Sequence, residues 1–312
     1  MSPRSHAVDV LVVSWNSAQT LRQCLESVHG TEGCVRVLVI DNASMDDSLD
    51  CTDAAALVVA MAQNLGFARA VNALLAECNN EYALLLNPDV IVDSHTVGRS
   101  IDLLEHTGAG IVGANLRTAD GTPDRAAARR FKSMRTVLLE TLGLPRLSSR
   151  FDWQYFPGWD RTDSREVPCV NGAFMLMRTE LLRDMGGLDE SVFMYLEDLD
   201  LCWRVRERGL AVWFCADAMA THVGGASTAA GNVDQQAIAH LHRLDGTIEF
   251  IVRTSRFGKR PVLIGLLFVQ TIVGMIHGAV TRDRVQFARH RRALRWLPRQ
   301  LRSRTPPPPV SS

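Results

Sequence analysis

Residues 193–204 read Phe-Met-Tyr-Leu-Glu-Asp-Leu-Asp-Leu-Cys-Trp-Arg, so three carboxylates, Glu197, Asp198 and Asp200, stand among bulky apolar side chains. Burying a carboxylate is costly, and a position that keeps one in such company is suited to taking or giving a proton. Leu199, Leu201, Val205 and Leu210 carry helical spacing, so Glu197 and Asp198 are expected to open a helix. The stretch alone leaves two roles open. The acids could do proton-transfer chemistry, or they could complement the positive end of the helix at about 0.3 to 1 kcal/mol each, with Asp200 paired to Arg204 four residues on.

Further polar candidates stand at the ends of apolar runs. Asp41 closes the run 35–40 and could hydrogen-bond a ribose hydroxyl or a base edge, but no Gly-x-Gly-x-x-Gly occurs in the chain, which disfavours a nicotinamide enzyme. Asp89, in Asn87-Pro88-Asp89, closes the run 82–86, where a carboxylate could hold a hard divalent cation or simply cap the next turn. Trp15 follows the first run, as a stacking surface for a base or as loop filling. His222 follows the last run, as a metal or phosphate contact or as a structural residue. His240 and His242, two apart on a helical stretch, lie on different faces and define no site.

These candidates need a scaffold that gathers strand ends. Apolar runs at 8–13, 35–40, 56–61 and 82–86 read as buried strands. Leu21, Leu25 and Val28 mark a helix after the first run, and residues 67–78 and about 95–106 read as two more. The resulting β-α-β-β-α-β order puts polar residues at the carboxyl ends of the strands, where open α/β sheets bind ligands. After a strand at 111–114, residues 117–165 form an irregular excursion with Trp153, Tyr155, Phe156 and Trp159, which could stack on sugars, cover the site, or pack their own loop. Strands at 167–170 and 173–177 flank Asn171-Gly172, and a last short strand spans 211–215.

The 312 residues, 46% hydrophobic and 22% charged, suit an ordinary folded protein. Net charge is formally zero, yet residues 253–304 hold thirteen Lys or Arg against one acid, Asp283, so an acidic body carries a basic tail that seeks an anionic surface. Residues 262–280 lack formal charge and, at about 1.5 Å each, are just long enough to cross a hydrocarbon core. Gln270, Gly274, His277 and Thr281 give that run a polar and small-residue stripe, better suited to a helix half-sunk in a bilayer or packed on protein. Residues 282–302 place Phe287, Leu294, Leu297 and Leu301 on one face among arginines, a membrane-surface anchor or a solvated helix, interrupted at Pro298. Seven cysteines without Cys-x-x-Cys spacing, and an N-terminus without the apolar core of a signal peptide, argue for reduced thiols in the cytoplasm, with neither disulfides nor structural zinc.

The combination is more specific than its parts. Val12-Val13-Ser14-Trp15-Asn16, Val39-Ile40-Asp41-Asn42-Ala43-Ser44, Asn64-Leu65-Gly66-Phe67-Ala68 with Asn72, Leu86-Asn87-Pro88-Asp89-Val90, Asn171-Gly172-Ala173 and the 193–204 stretch occur in family order. Across residues 8–228 the chain resembles the inverting family 2 glycosyltransferases of GT-A fold, in particular their bacterial rhamnosyltransferase-like branch. The resemblance implies a Rossmann-like, mostly parallel sheet flanked by helices over 1–232, with a nucleotide-binding half at about 1–115 and an acceptor half at about 116–232. A helical membrane-associating extension would follow at 233–304, then a disordered proline-rich tail at 305–312.

The resemblance also assigns roles. Trp15, Asn16 and Asp41 form the nucleotide pocket, with Asn64, Gly66 and Asn72 on its ribose and diphosphate side and Asn87 beside them. Asp89, with His222, holds Mg2+ or Mn2+, although Asn87 replaces the first acid of the family's Asp-x-Asp motif and removes a negative charge there. Asp198 is the base and Glu197 its neighbour, while Arg204 braces the helix or reaches the phosphates. The implied reaction moves L-rhamnose from dTDP-L-rhamnose, with inversion, onto GlcNAc-diphosphopolyprenol at the cytoplasmic face of a membrane. The expected partners are that donor, that acceptor and an anionic membrane surface, and no nucleic acid. A sister transferase using a UDP-hexose or galactofuranose donor would keep every motif, and a catalytically silent nucleotide-binding scaffold is the alternative from another class.

Overall fold

Continuous runs of β-branched and leucine residues satisfy their backbone best in a sheet covered on both faces, and the first four apolar runs occupy such a sheet. The computed structural model describes residues 7–31, 34–53, 55–148, 150, 152–191, 195–223, 233–255, 260–301, 304 and 306–308. Phe193 and Met194 of the acidic stretch, and most of the 305–312 tail, lie outside the described residues.

The first half comprises β1 (Ala7–Ser14), α1 (Ala18–His29), β2 (Cys34–Asp41), β3 (Leu57–Ala60), α2 (Phe67–Ala76), β4 (Tyr82–Leu86), β5 (Val90–Val92), α3 (Thr96–Thr107) and β6 (Ile111–Arg117). The excursion contains β7 (Ala128–Arg129), α4 (Met134–Thr141), α5 (Leu144–Leu147) and β8 (Arg165–Glu166). Then come β9 (Cys169–Val170), β10 (Phe174–Arg178), α6 (Thr179–Asp184), α7 (Glu197–Glu207) and β11 (Val212–His222). Three helices finish the chain: α8 (Val233–Thr254), α9 (Arg260–Val280) and α10 (Arg284–Trp296).

The main sheet runs β3-β2-β1-β4-β10-β6-β11-β5, with β8 added to β11, and β7 pairs with β9 in a separate ribbon. Strands β1 to β4 are mutually parallel, and β10 enters antiparallel between β4 and β6. Register aligns Ser14 with Asp41 and Val12 with both Val39 and Leu86, so the loops after β1, β2 and β4 emerge on one rim.

The last strand is longer than the 211–215 expected from the sequence. Its register slips between Cys215 and Met219, and this irregularity breaks the two-residue alternation that would have extended the reading. The far end pairs antiparallel with β5, which the sequence reading did not separate from the β4 turn, and aligns His222 with Val90. That pairing carries His222 to the residue after Asp89.

The C-terminal helices form a layer packed on the rest of the chain. Leu263, Ile264 and Leu267 of α9 and Ala293, Trp296 and Leu297 are buried together. Gln270 donates to the Val137 carbonyl of α4 at 3.1 Å, and a Cβ at Gly274 would meet the His290 ring at 2.3 Å, so these two stripe residues face protein. His277 and Thr281 of the same stripe are exposed. A 3-10 turn over Leu297–Leu301 replaces the helix at Pro298.

An ion pair from Arg253 ties this layer to the acidic stretch. Asp200, 3% exposed, accepts from Arg204 Nε at 2.8 Å and from Arg253 of α8. Arg204 also donates to the carbonyls of Met185 and Gly187, so it braces the helix. Asp200→Ala would leave both guanidinium groups without this counter-charge, and breaking such a buried pair costs about 3 kcal/mol or more. Denaturant unfolding should show that loss, whereas Asp53→Ala, at an exposed 4.0 Å pair with Arg22, should change stability by less than about 0.5 kcal/mol.

Candidate active site

A cavity of about 480 Å³ opens at the strand rim. The loops after β1, β2 and β3 give it Trp15, Ser17, Asn42, Asn64 and Gly66, and the loop after β4 gives it Asn87 and Asp89. Asn171 and Gly172 follow β9, Glu197 and Asp198 open α7, and His222 ends β11. Arg129, Lys132, Gln154 and Tyr155 come from the excursion, and Arg243 and Thr247 from α8.

Asp198 is the most firmly held acid. Its Oδ2 accepts from Arg129 at 2.5 Å and from the Gly172 amide at 3.0 Å, and its Oδ1 accepts from the Leu199 amide at 2.7 Å. A Cβ on Gly172 would lie 3.2 Å from the Asp198 Cβ, so the absent side chain permits this approach. Burial works against the Arg129 charge, but Asp198 outweighs it and holds the guanidinium protonated. For Glu197 the help of a backbone amide and of the Arg129 charge is outweighed. Burial, and then the charge of Asp198, push its carboxyl up to about 8, and its Oε2 is buried without a hydrogen-bond partner. Neighbouring carboxyls thus divide their tasks: Asp198 takes the donors and Glu197 takes a proton. The turn before them is strained, with Tyr195 at φ 68° and Leu196 at φ 69°. Arg243 lies 4.6 Å over the Tyr195 ring and donates to its hydroxyl at 3.2 Å.

At the centre of the rim, His222 Nε2 stands 3.4 Å from Asp89 Oδ1 and His222 Nδ1 stands 3.8 Å from Asp124. Burial lowers the imidazole, but the pull of Asp124 and Asp89 outweighs it and raises His222 to about 9. Asp89 Oδ1 is buried and makes no hydrogen bond. The Asp89 carboxylate, with the Asn87 amide in the same cavity, offers oxygen donors that fit Mg2+ or Mn2+, and His222, whose proton Asp89 and Asp124 hold, would join them only on giving that proton up. Among the described residues no three acidic, histidine or cysteine groups converge as a closed metal cage, so the protein would offer two ligands and leave the other positions to ligand oxygens.

Not every residue expected in the nucleotide pocket lines the cavity. Trp15, Asn64, Gly66 and Asn87 do. Asn16 accepts from the Met45 amide and its own amide donates to Ser44, which joins the first loop to the second. Asp41 lies buried beneath that rim and accepts from the Ser44 amide at 3.0 Å. The Asn72 amide is committed to both backbone groups of Leu188 and to Glu190, so it clamps the turn before the acidic stretch. Of the excursion aromatics, Tyr155 lines the cavity, whereas Trp159 packs edge-on against Phe156 and Phe214.

Several lining residues were not singled out from the sequence. Asn42, beside Asp41, donates to Asn64 and accepts from the Leu65 amide, and its place at a strand end was a usable signal. Arg129, Lys132, Arg243 and Thr247 come from an aperiodic loop and a distant helix, and only the tertiary fold brings them in.

The family model described as glycosyltransferase-like family 2 matches residues 3–238, which include every strand and the acidic stretch. The chain belongs to this family. This glycosyltransferase is 26% identical over 253 residues to the N-acetylglucosaminyl-diphospho-decaprenol L-rhamnosyltransferase of Mycobacterium tuberculosis, covering 74% of this chain and 80% of that one. It is 22% identical over 221 residues to a low-salt glycan biosynthesis hexosyltransferase of Haloferax volcanii, covering 69% of this chain and 66% of the archaeal protein. In fold it is similar to a mannosyltransferase from Pyrobaculum calidifontis solved with GDP-Man and Mn2+, at 16% identity and a TM-score of 0.57, covering 88% and 75% of the two chains. The mixed, mostly parallel sheet flanked by helices is a GT-A fold.

The raised Glu197 carboxyl has a consequence for stability. A folded-state value of about 8 against an ordinary 4.5 means that the folded chain holds this proton more tightly. The associated stability is fully present below about pH 4.5 and is lost as pH rises through about 8. Glu197→Gln, neutral at every pH, should flatten that decline, and denaturant midpoints measured at pH 5, 7 and 9 for both proteins check it.

Proposed function

We propose that this glycosyltransferase transfers a hexose with inversion from a nucleoside-diphosphate sugar to a lipid-linked saccharide, with dTDP-L-rhamnose as donor and GlcNAc-diphosphopolyprenol as acceptor. The observation that carries the reaction is the Asp198 carboxylate, anchored by Arg129 and Gly172 in the same cavity as the strand-end loops. Trp15, Asn42, Asn64 and Gly66 suit a nucleoside, with Asn16, Asp41 and Asn72 holding their loops, and Asn87 and Asp89 suit its diphosphate. A Mg2+ or Mn2+ ion on Asp89 and His222 would supply positive charge to the leaving diphosphate.

The chemistry follows from what Asp198 can do. Its Oδ1 accepts one backbone N–H and has a lone pair left for an acceptor hydroxyl. As that oxygen bonds to the anomeric carbon, its proton passes to Asp198 and the bond to the nucleoside diphosphate breaks on the opposite face, leaving its electron pair on the phosphate oxygen. Arg129 keeps the carboxylate oriented throughout, and Glu197 modulates it from beside. The name of the mycobacterial relative supports rhamnose and the lipid-linked GlcNAc. The same motifs would serve a UDP-hexose or galactofuranose donor, and the anchored acid disfavours a silent scaffold.

A lipid-linked acceptor requires a membrane, and α9 offers a surface for one. Its outer face exposes Val262, Val269, Val273, Ile276 and Val280, while the other face is buried against protein. The helix is long and apolar enough to span a bilayer, but its packing against α10 and α4 favours one lying in the plane of an anionic cytoplasmic surface. Arg282, Arg284, Arg291 and Arg295, which follow α9 in the chain, are exposed and available to anionic headgroups.

Three experiments test this reading. Asp198→Asn should lower transfer by about 10²-fold to 10⁴-fold while nucleotide still binds, and a donor panel in which only UDP-hexoses turn over would replace rhamnose with the sister activity. Val273→Asp with Ile276→Asp, both on the exposed face, should reduce sedimentation with phosphatidylglycerol vesicles at unchanged stability; undiminished binding would remove α9 from the membrane.

A further inference from the structure

Three cationic side chains reach into the cavity from the excursion and α8, and they are not equivalent. Arg129 is consumed by Asp198. Lys132 and Arg243 line the same cavity with no carboxylate partner among the described residues, and Arg243 meets only the ring and hydroxyl of Tyr195. Burial lowers the nearby His240 to about 3, with further pressure from His290, Arg289, Arg243 and Lys132, so this part of the wall carries uncompensated positive charge. A cavity wall of that kind fits a multiply charged anion.

Position says which anion. Lys132 directly precedes Ser133, whose side chain caps α4, and α4 carries the exposed Leu138 and Leu142. Gln270 joins α4 to α9, which exposes valines of its own. From Arg129, which anchors the carboxylate, through Lys132 to the exposed Leu138 of α4, the chain presents in order an anchored carboxylate, a cation without a carboxylate partner among the described residues, with Arg243 as a second in the same cavity, and an apolar face. A saccharide linked through diphosphate to a polyprenyl chain presents a hydroxyl, two phosphates and a hydrocarbon in the same order. The donor diphosphate has its own candidates at Asn87, Asp89 and His222, which come from the ends of β4 and β11.

We infer that Lys132 and Arg243 form the subsite for the diphosphate of the lipid-linked acceptor, with the hydrocarbon chain left in the bilayer beneath α4 and α9. The inference rests on the acceptor reading given above. Lys132 supplies a compact ammonium and Arg243 a planar fork, while the Tyr195 beneath Arg243 joins the subsite to the turn that sets Glu197 and Asp198.

The test compares two acceptors that share a sugar: GlcNAc-diphosphate on a short polyprenyl chain, and octyl β-GlcNAc, which has the apolar chain and no phosphate. Wild-type protein should prefer the diphosphate acceptor by about 100-fold in kcat/KM, a size expected for two charge-assisted contacts. Lys132→Ala and Arg243→Ala should each raise KM for the diphosphate acceptor about tenfold, and the double variant should lose most of the preference. Lys132→Arg and Arg243→Lys should restore part of it, which a merely destabilised protein would not do. A preference that survives in the double variant overturns the subsite. So does a loss that falls on KM for the sugar nucleotide, which would assign the two cations to the donor. If wild-type protein hydrolyses the sugar nucleotide but transfers to neither acceptor, the acceptor reading falls and the subsite with it.

Discussion

The buried pair between Asp198 and Arg129 is the interaction on which the site depends. A carboxylate in this position is expensive unless a charge and oriented donors meet it, and each requirement recruits a separate part of the fold. The β7–β9 ribbon exists to set Arg129 opposite Cys169, which in turn places Gly172 two residues beyond Val170, at hydrogen-bonding distance from the acid. The start of α7 supplies the third donor, the Leu199 amide. Once these are in place, the negative charge belongs to Asp198, and Glu197 can only be accommodated by keeping its proton.

The second constraint is the rim itself. Parallel β1, β2 and β4 bring three loop tips together through register alone, whereas β11 must break its register and pair backwards with β5 to deliver His222 to Asp89. The result sets a histidine beside Asp89, in the cavity that Asn87 also lines. Asp124, reaching back from the excursion, holds the other imidazole nitrogen at 3.8 Å and so orients the ring.

The parallel part of the fold was legible because its strands β1 to β4 are apolar runs, broken only by Asp9 and Arg36, that lead into loops containing Asn, Asp, Ser or Gly, and a run of that kind has few other places to go. Trp15, Asp89 and His222 were legible because they follow such runs, and Glu197 and Asp198 because acids stand out among apolar neighbours, whereas Asn64, Gly66 and Asn87 took their roles from the family resemblance. Arg129 and Lys132 were not, since an arginine in a loop of Ala, Arg and Asp carries no periodic signal and acquires its meaning only from Asp198, 69 positions away. Asn72 was assigned to the cavity by the family resemblance alone; its amide clamps Leu188, 116 residues away in sequence, a long-range contact that no local pattern shows.

The first helix after residue 232 contacts the site directly. Ile238 of α8 packs on Trp15, Arg243 and Thr247 of the same helix line the cavity, and Arg253 closes on Asp200 one turn into α7. Arg304, beyond the last helix, returns to Asp245 and to the Ser191 carbonyl at the head of the acidic stretch. The helices that carry the apolar face are thus fastened to the backbone that positions the acids, through charges that lie within a few residues of Glu197 and Asp198. If the apolar face of α9 docks on a membrane, as proposed above, these contacts set its distance from a site that works on a membrane-held substrate.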